Sequence, residues 1–181
     1  IAVIEGIESL NSPTVEYIIK MGDTFNLLER LKITGGERIE LEMQRRREDK
    51  TEKHSITCFI GEIINFKRSG TSRSTYTLKC YSEHVMNEAV KTLTKPFTGT
   101  GGSIVKDILK SDLSVTPESK QINVSGNYME GIFPRLRPLH SIFWIMRNSF
   151  DDGTPFFFYE TLNKGLYYKS YKDICTEDIA E

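Results

Sequence analysis

Strict alternation of apolar and polar residues is the feature that most limits what this chain can fold into. In ERIELEM, Glu37–Met43, the residues Ile39, Leu41 and Met43 point one way while Arg38, Glu40 and Glu42 point the other. A helix would scatter these residues around its surface, whereas a strand sorts them onto one dry face and one wet face. VEYIIKM sorts Val15, Tyr17, Ile19 and Met21 in the same way, and STYTLKCYS sorts Tyr76, Leu78 and Cys80. SITCFIGEIINF reads as a longer strand with a bend at Gly61. Strands with one wet face belong to antiparallel sheets.

The punctuation between these strands fits that reading. Ser12-Pro13 marks a turn, and Asp23 is placed to cap a short helix in TFNLLERL that ITGGE stops. RRREDKTEK, Arg45–Lys53, has no apolar residue and is expected to be an exposed hairpin tip. RSGTSRS reads as a flexible turn. Residues 1–88 are therefore expected to form an antiparallel meander with one short helix, a small barrel or sandwich.

From about Ser82 the pattern changes, and residues 89–181 are expected to form a small α+β domain. HVMNEAVKTL has helical character, KPFTGTGG reads as a loop, and Ser103 as the cap of a helix with Ile104, Ile108 and Leu109 on one stripe. Residues 114–136 read as polar and turn-rich. Pro138 suits the first turn of a helix on which Leu139, Ile142, Phe143, Met146 and Phe150 share a face, with DDG as its stop. TPFFFYETLNKGLYYKSY follows as a hairpin turning at Asn163-Lys164-Gly165. The aromatic stretch reads as core rather than as a binding platform: Phe143, Trp144, Phe157 and Tyr159 are expected to pack together, and Phe156–Phe158 to be buried on both strand faces.

Chemistry is sparse. The 24 basic and 25 acidic residues give a net charge of -1, so no global attraction to nucleic acid or anionic lipid is expected. Cys58, Cys80 and Cys175 are too few and too scattered to read as a disulfide framework or zinc site, which favours a reducing compartment. His54, His84 and His140 lie in different predicted elements and read as ordinary histidines rather than ligands. TGTGGS, Thr98–Ser103, superficially resembles a phosphate cradle but lacks the lysine and glycine spacing of one. Asn123 opens an N-V-S glycosylation sequon. No catalytic, cofactor-binding or metal-binding residue is assigned, and no enzyme activity or cofactor is expected. No apolar run reaches membrane-spanning length, no signal peptide is visible, and the missing initiator Met suggests a fragment or a trimmed chain. The one basic cluster is Arg45, Arg46 and Arg47, followed at once by Glu48 and Asp49. It reads either as a solvated tip or as a protein–protein contact, since Arg suits planar carboxylate recognition.

SIFWIMRNSFDDGTPFFFYETLNKGLYYKSYKDI resembles a segment of the baseplate hub proteins of contractile-tailed phages: a helix, a short turn, a "PFFFYET" strand and a second strand. IESLNSPTVEYIIKMGDTFNLLERLKITGGERIELEM resembles the opening of the same hubs, with Asp23, Leu27, Leu28, Glu29, Leu31, Ile33, Gly35 or Gly36, and Glu37 at the matching positions. The resemblance covers most of the chain in the expected order. It implies a tail-tube-like β-barrel followed by a small α+β insert, in a structural virion protein without catalysis. It further implies a homotrimer whose two tube domains per chain form a pseudo-hexameric ring, with the tail tube protein and the central spike protein as partners. The location implied is the tail baseplate, assembled in the host cytoplasm. A second tube domain is not found in these residues, so the N-terminal part of a hub is expected. Similar units occur at the base of type VI-like injection spikes, and a small barrel binding single-stranded nucleic acid is the reading from another class. That last reading requires exposed aromatics beside basic residues on the barrel.

Overall fold

The computed structural model describes residues 3–47, 50–70, 73–162 and 164–176. The chain divides into two compact units, one of residues 1–7 and 16–86 and one of residues 8–15 and 87–181. It is a mixed helix and strand protein, mostly antiparallel sheet with few helices.

In the first unit, β1 (Val3–Ile7), β2 (Glu16–Asp23), β3 (Arg38–Arg47), β4 (Lys50–Ser69) and β5 (Arg73–Tyr81) make one antiparallel sheet in the order β1-β2-β5-β4-β3. The sheet curls into a half-barrel with β1 and β3 as its edges. Its dry face carries the alternating residues expected of it, with Tyr17, Ile19, Leu41, Tyr76, Leu78 and Cys80 buried and Met21, Ile39 and Met43 half-buried, and β4 adds Cys58 and Ile60, also buried. Each fully buried aliphatic here contributes about 1.5–3 kcal/mol relative to exposure. The bend in β4 falls where glycine allows it, with the β4–β5 register shifting between Ile60 and Glu62, and again between Ile64 and Lys67.

A short helix, α1 (Leu27–Arg30), follows β2. Asp23 holds it, although Asn26 occupies the N-cap position: the Asp23 carboxylate accepts the Phe25 amide at 2.9 Å and the Leu27 amide at 2.6 Å. Glu37 organises the return into β3, accepting the amides of Thr34 and Gly35 at 2.8 Å each. The hairpin between β3 and β4 is longer than the sequence suggests. Pairing continues in unbroken register from Arg38↔Phe59 to Arg47↔Lys50, so Arg45–Arg47 are strand rather than tip. A backbone ladder needs no apolar side chain, so a wholly polar segment can still be paired.

The helix α2 (Glu83–Glu88) contains the division between the units. In the second unit, β6 (Pro96–Thr100) leads directly into α3 (Gly101–Ser111). KPFTGTGG is therefore not a loop. Its pairing partner is β7 (Tyr128–Ile132), inside the segment read as polar and turn-rich. Ser103 does not cap α3; it lies inside the first turn and donates its hydroxyl to the Thr100 carbonyl at 2.8 Å.

Next come α4 (Pro138–Asn148), β8 (Phe150–Asp151), β9 (Thr154–Thr161), β10 (Gly165–Ser170) and α5 (Tyr171–Thr176). Pro138 opens α4 as expected. DDG is not what stops the helix, which ends at Asn148 where Ser149 turns extended. Asp152 and Gly153 have φ of 47° and 77° and form the two-residue turn of a β8–β9 hairpin. Two successive positive-φ residues match the twist of the flanking strands. Phe150 accordingly leaves the helical stripe and is 54% exposed.

The second core gathers Ile104, Val105, Ile108 and Leu109 of α3, Leu139, Ile142 and Ile145 of α4, and Phe156, Phe158 and Tyr168 of the sheet. The expected quartet is displaced by one step around the helix and one face of the strand. Phe143, Phe157 and Tyr159 are half-buried and Trp144 is 40% exposed, while Ile142, Ile145, Phe156 and Phe158 are buried. Trp144 still packs edge-on against Phe97 and Phe133, with ring centroids at 5.6 and 6.1 Å.

Candidate assembly surface

Edge strands carry the unpaired main-chain groups of a sheet, and in the first unit these lie on β1 and β3. β1 is apolar yet poorly covered: Val3 is 42% and Ile7 49% exposed, and Ile4 is half-buried. No proline or lysine lies within VIEGI to blunt this edge, and its one charge, Glu5, is bound to Lys20 of β2 at 2.9 Å. On the opposite edge, β3 displays Arg38 and Glu40 as an exposed ion pair at 2.7 Å. Further along, the backbone of Arg45, Arg46 and Arg47 continues the edge, pairing in register with Glu52, Thr51 and Lys50. The side chains of these three arginines lie outside the described residues, as do Glu48 and Asp49 altogether. The structure thus puts the backbone of the basic cluster on an edge strand, in the paired stretch that leads to the end of the hairpin.

A second exposed apolar region lies in the same unit. Phe25 is 68% and Leu31 65% exposed, flanking α1, which has no buried residue of its own. Phe66, 52% exposed, stacks on Tyr76 at 6.5 Å between centroids. Asp23 underlies this region and is 2% exposed. Burial opposes its ionisation, but the amides of Phe25 and Leu27 and the Tyr76 hydroxyl outweigh burial and hold its carboxyl below the ordinary value.

No protein-family model and no curated protein matches this chain.

The remaining candidates resolve into packing. Gly101 and Gly102 are buried because a Cβ at Gly102 would collide with the Asn123 carbonyl, and one at Gly101 with Ser149 and Tyr168. The glycines of TGTGGS therefore serve close approach of the helix start to its own unit, not of a phosphate. Asn123 is half-buried, and its side-chain amide donates to Asp173, which also takes the Ser170 hydroxyl at 2.8 Å. In the folded chain the side-chain nitrogen of the sequon is thus engaged within its own unit.

His84 is buried in α2, and His140 in the first turn of α4 places Nδ1 3.4 Å from the Glu88 carboxylate. The His54 side chain lies outside the described residues. Among the described residues, no group of three or more His, Cys, Asp or Glu is placed to hold a metal ion. In the second unit a shallow groove is lined by Glu8, Leu10, Tyr159 and Glu160. Glu160 accepts the Val15 amide there at 2.7 Å and Glu8 accepts the Leu162 amide, so both carboxylates fix backbone.

Cys58 and Cys80 are the pair that sequence separation concealed. They fall on adjacent strands and on the same buried face. Alternation in STYTLKCYS and SITCFIG carried the signal that both point inward. Which strands would pair was not readable.

Proposed function

We propose that this chain is the N-terminal part of a baseplate hub of a contractile phage tail, a structural protein that joins the hexameric tail tube to the trimeric central spike. The half-barrel unit is the tail-tube-like domain of that reading, and the second unit is its α+β insert. The observation that carries it is the pairing of two features in order. An open, curled antiparallel sheet with β1 and β3 as its edge strands comes first. The helix–hairpin unit whose sequence resembles the hub insert, α4 through β10, comes second.

An open sheet with an apolar, unblunted edge is a liability for an isolated molecule and an asset in a ring. Head-to-tail contacts between different patches on identical chains close into rings when the rotation allows. Three copies with two tube domains each meet the sixfold symmetry of a tube on one side and the threefold symmetry of a spike on the other. The work is then symmetry matching and the transmission of load, and no bond is made or broken.

The test is reconstitution. The full-length hub is co-expressed with the tail tube and spike proteins encoded beside it, and the products are imaged by negative-stain electron microscopy. A ring of hub subunits capping tube on one side and spike on the other is expected. Failure of the full-length protein to bind either partner, at any salt concentration, would overturn the reading.

A further inference from the structure

Cys58 of β4 and Cys80 of β5 are both 0% exposed, and both thiols are free. Ile60 is the residue directly opposite Cys80, and Cys58 lies two residues along β4 on the same inner face. The two cysteines are thus diagonal neighbours on adjacent antiparallel strands, a placement that brings side chains within roughly 7–8 Å or less. A disulfide needs a Cβ separation of about 3.5–4.5 Å, so a small shear of one strand is required. The ladder is already irregular beside them, where its register shifts between Ile60 and Glu62.

We propose that Cys58 and Cys80 form an oxidisable dithiol, which a small disulfide such as oxidised glutathione converts into a cross-strand bond between β4 and β5. Access comes from the sheet edge. Cys58 pairs across to Ile39 on β3, and β3 is an edge strand. Local fraying of an edge strand costs far less than unfolding and uncovers Cys58 first. Cys80 lies on β5, one strand further from the β3 edge.

The two thiols are matched to these roles. Interaction with Cys80 shifts the Cys58 thiol down against the effect of burial, whereas interaction with Cys58 and burial together push the Cys80 thiol up, so Cys58 is the first to give up its proton once it is uncovered. The Cys58 thiolate attacks one sulfur of the small disulfide, and one glutathione thiolate leaves and takes up a proton. Cys80 then gives up its proton to solvent and attacks the Cys58 sulfur of the mixed disulfide, expelling the second glutathione thiolate. Two protein thiols are oxidised by two electrons, and one small disulfide is reduced to two thiols. The diagonal placement leaves the bond strained and therefore readily reduced, which makes the pair a reversible lock on strand register.

The test uses the chain with Cys175→Ser, since Cys175 is exposed and would react on its own. The folded protein is incubated with oxidised glutathione and followed by thiol titration, intact mass and a non-reducing peptide map. The expected result is loss of both remaining thiols, loss of two hydrogens in mass, a Cys58–Cys80 linked peptide, and full reversal by dithiothreitol. If the variant folds poorly, the natural chain alkylated at Cys175 before oxidation serves in its place. Retention of both thiols, a stable glutathione adduct without the linked peptide, linkage between chains, or linkage only after denaturation would each overturn the proposal.

Discussion

The carboxylate of Asp23 lies 2.6 Å from the amide nitrogen of Leu27. That bond, with the one to Phe25, ties α1 to the end of β2 and fixes the region that displays Phe25 and Leu31. Because the folded-state pKa of Asp23 is depressed, its contribution is fully present above the unfolded value near 4 and is lost as pH falls through the folded value. Asp23→Asn should lower the thermal midpoint at pH 7. The gap between variant and natural protein should begin to narrow below about pH 4, as Asp23 of the unfolded chain takes up its proton, and close as pH falls through the lower folded-state value. Thermal melts across a pH series, followed by circular dichroism, check this, and a constant gap would assign the effect to something other than charge.

The two faces of the aromatic hairpin should differ sharply in energetic weight. Phe158 is 0% exposed in the second core, and Phe158→Ala should cost about 3–5 kcal/mol. Phe150, left outside the helix by the turn at Ser149, should tolerate Ala within about 0.5 kcal/mol. Urea unfolding curves followed by Trp144 fluorescence separate these outcomes, since that indole reports on the same unit.

Close approach at the start of α3 predicts a glycine that cannot be replaced. A methyl group at Gly102 meets backbone, which cannot rotate away, so Gly102→Ala should cost about 1–3 kcal/mol or more. Gly22→Ala is the control, because a Cβ there meets nothing within 4 Å and should shift stability by at most about 0.5 kcal/mol. Equal losses for the two would show that the close approach at Gly102 does not set the cost.

Replacing Arg45, Arg46 and Arg47 with Ser should leave the melting temperature of this chain almost unchanged, since exposed ion pairs contribute only about 0–1 kcal/mol each. In the full-length protein the same change should impair assembly with tube or partner subunits, most visibly as salt is raised. Sedimentation across a salt titration reads this directly. Normal assembly of the triple variant would return the segment to a solvated hairpin end.

How far the fold was legible depended on whether its signal was local. Alternation in residues 37–43 and 74–80 named the inward face correctly, because a strand's period is a property of its own residues. β6 and β7 were missed because neither has a pattern strong enough alone, and each becomes a strand only by meeting a partner about thirty residues away. The aromatic core was offset for a similar reason. With Phe143, Trp144 and Ile145 all apolar, the helix pattern permits more than one buried arc, and packing against Phe156 and Phe158 selects the one through Ile142 and Ile145. The DDG segment was read as a stop because its turn chemistry serves both ends of an element. The candidate cluster Arg45–Arg47 was legible as a charge pattern and was expected at a hairpin tip, while its position on a paired edge strand came only from long-range register.

Residues Glu8–Val15 lie between two strands of the first unit yet belong to the second. Glu8 and Val15, the ends of this segment, are held to Leu162 and Glu160 of the second unit. Neither unit is therefore a continuous stretch of polypeptide, and no single cut of the chain, or single breakpoint in its gene, yields both of them whole. A recombination event at residue 86 would leave Glu8–Val15 with the first unit's lineage, so the second unit would pack against a foreign copy of its own segment. Interleaving of this kind works against the exchange of either unit alone between lineages.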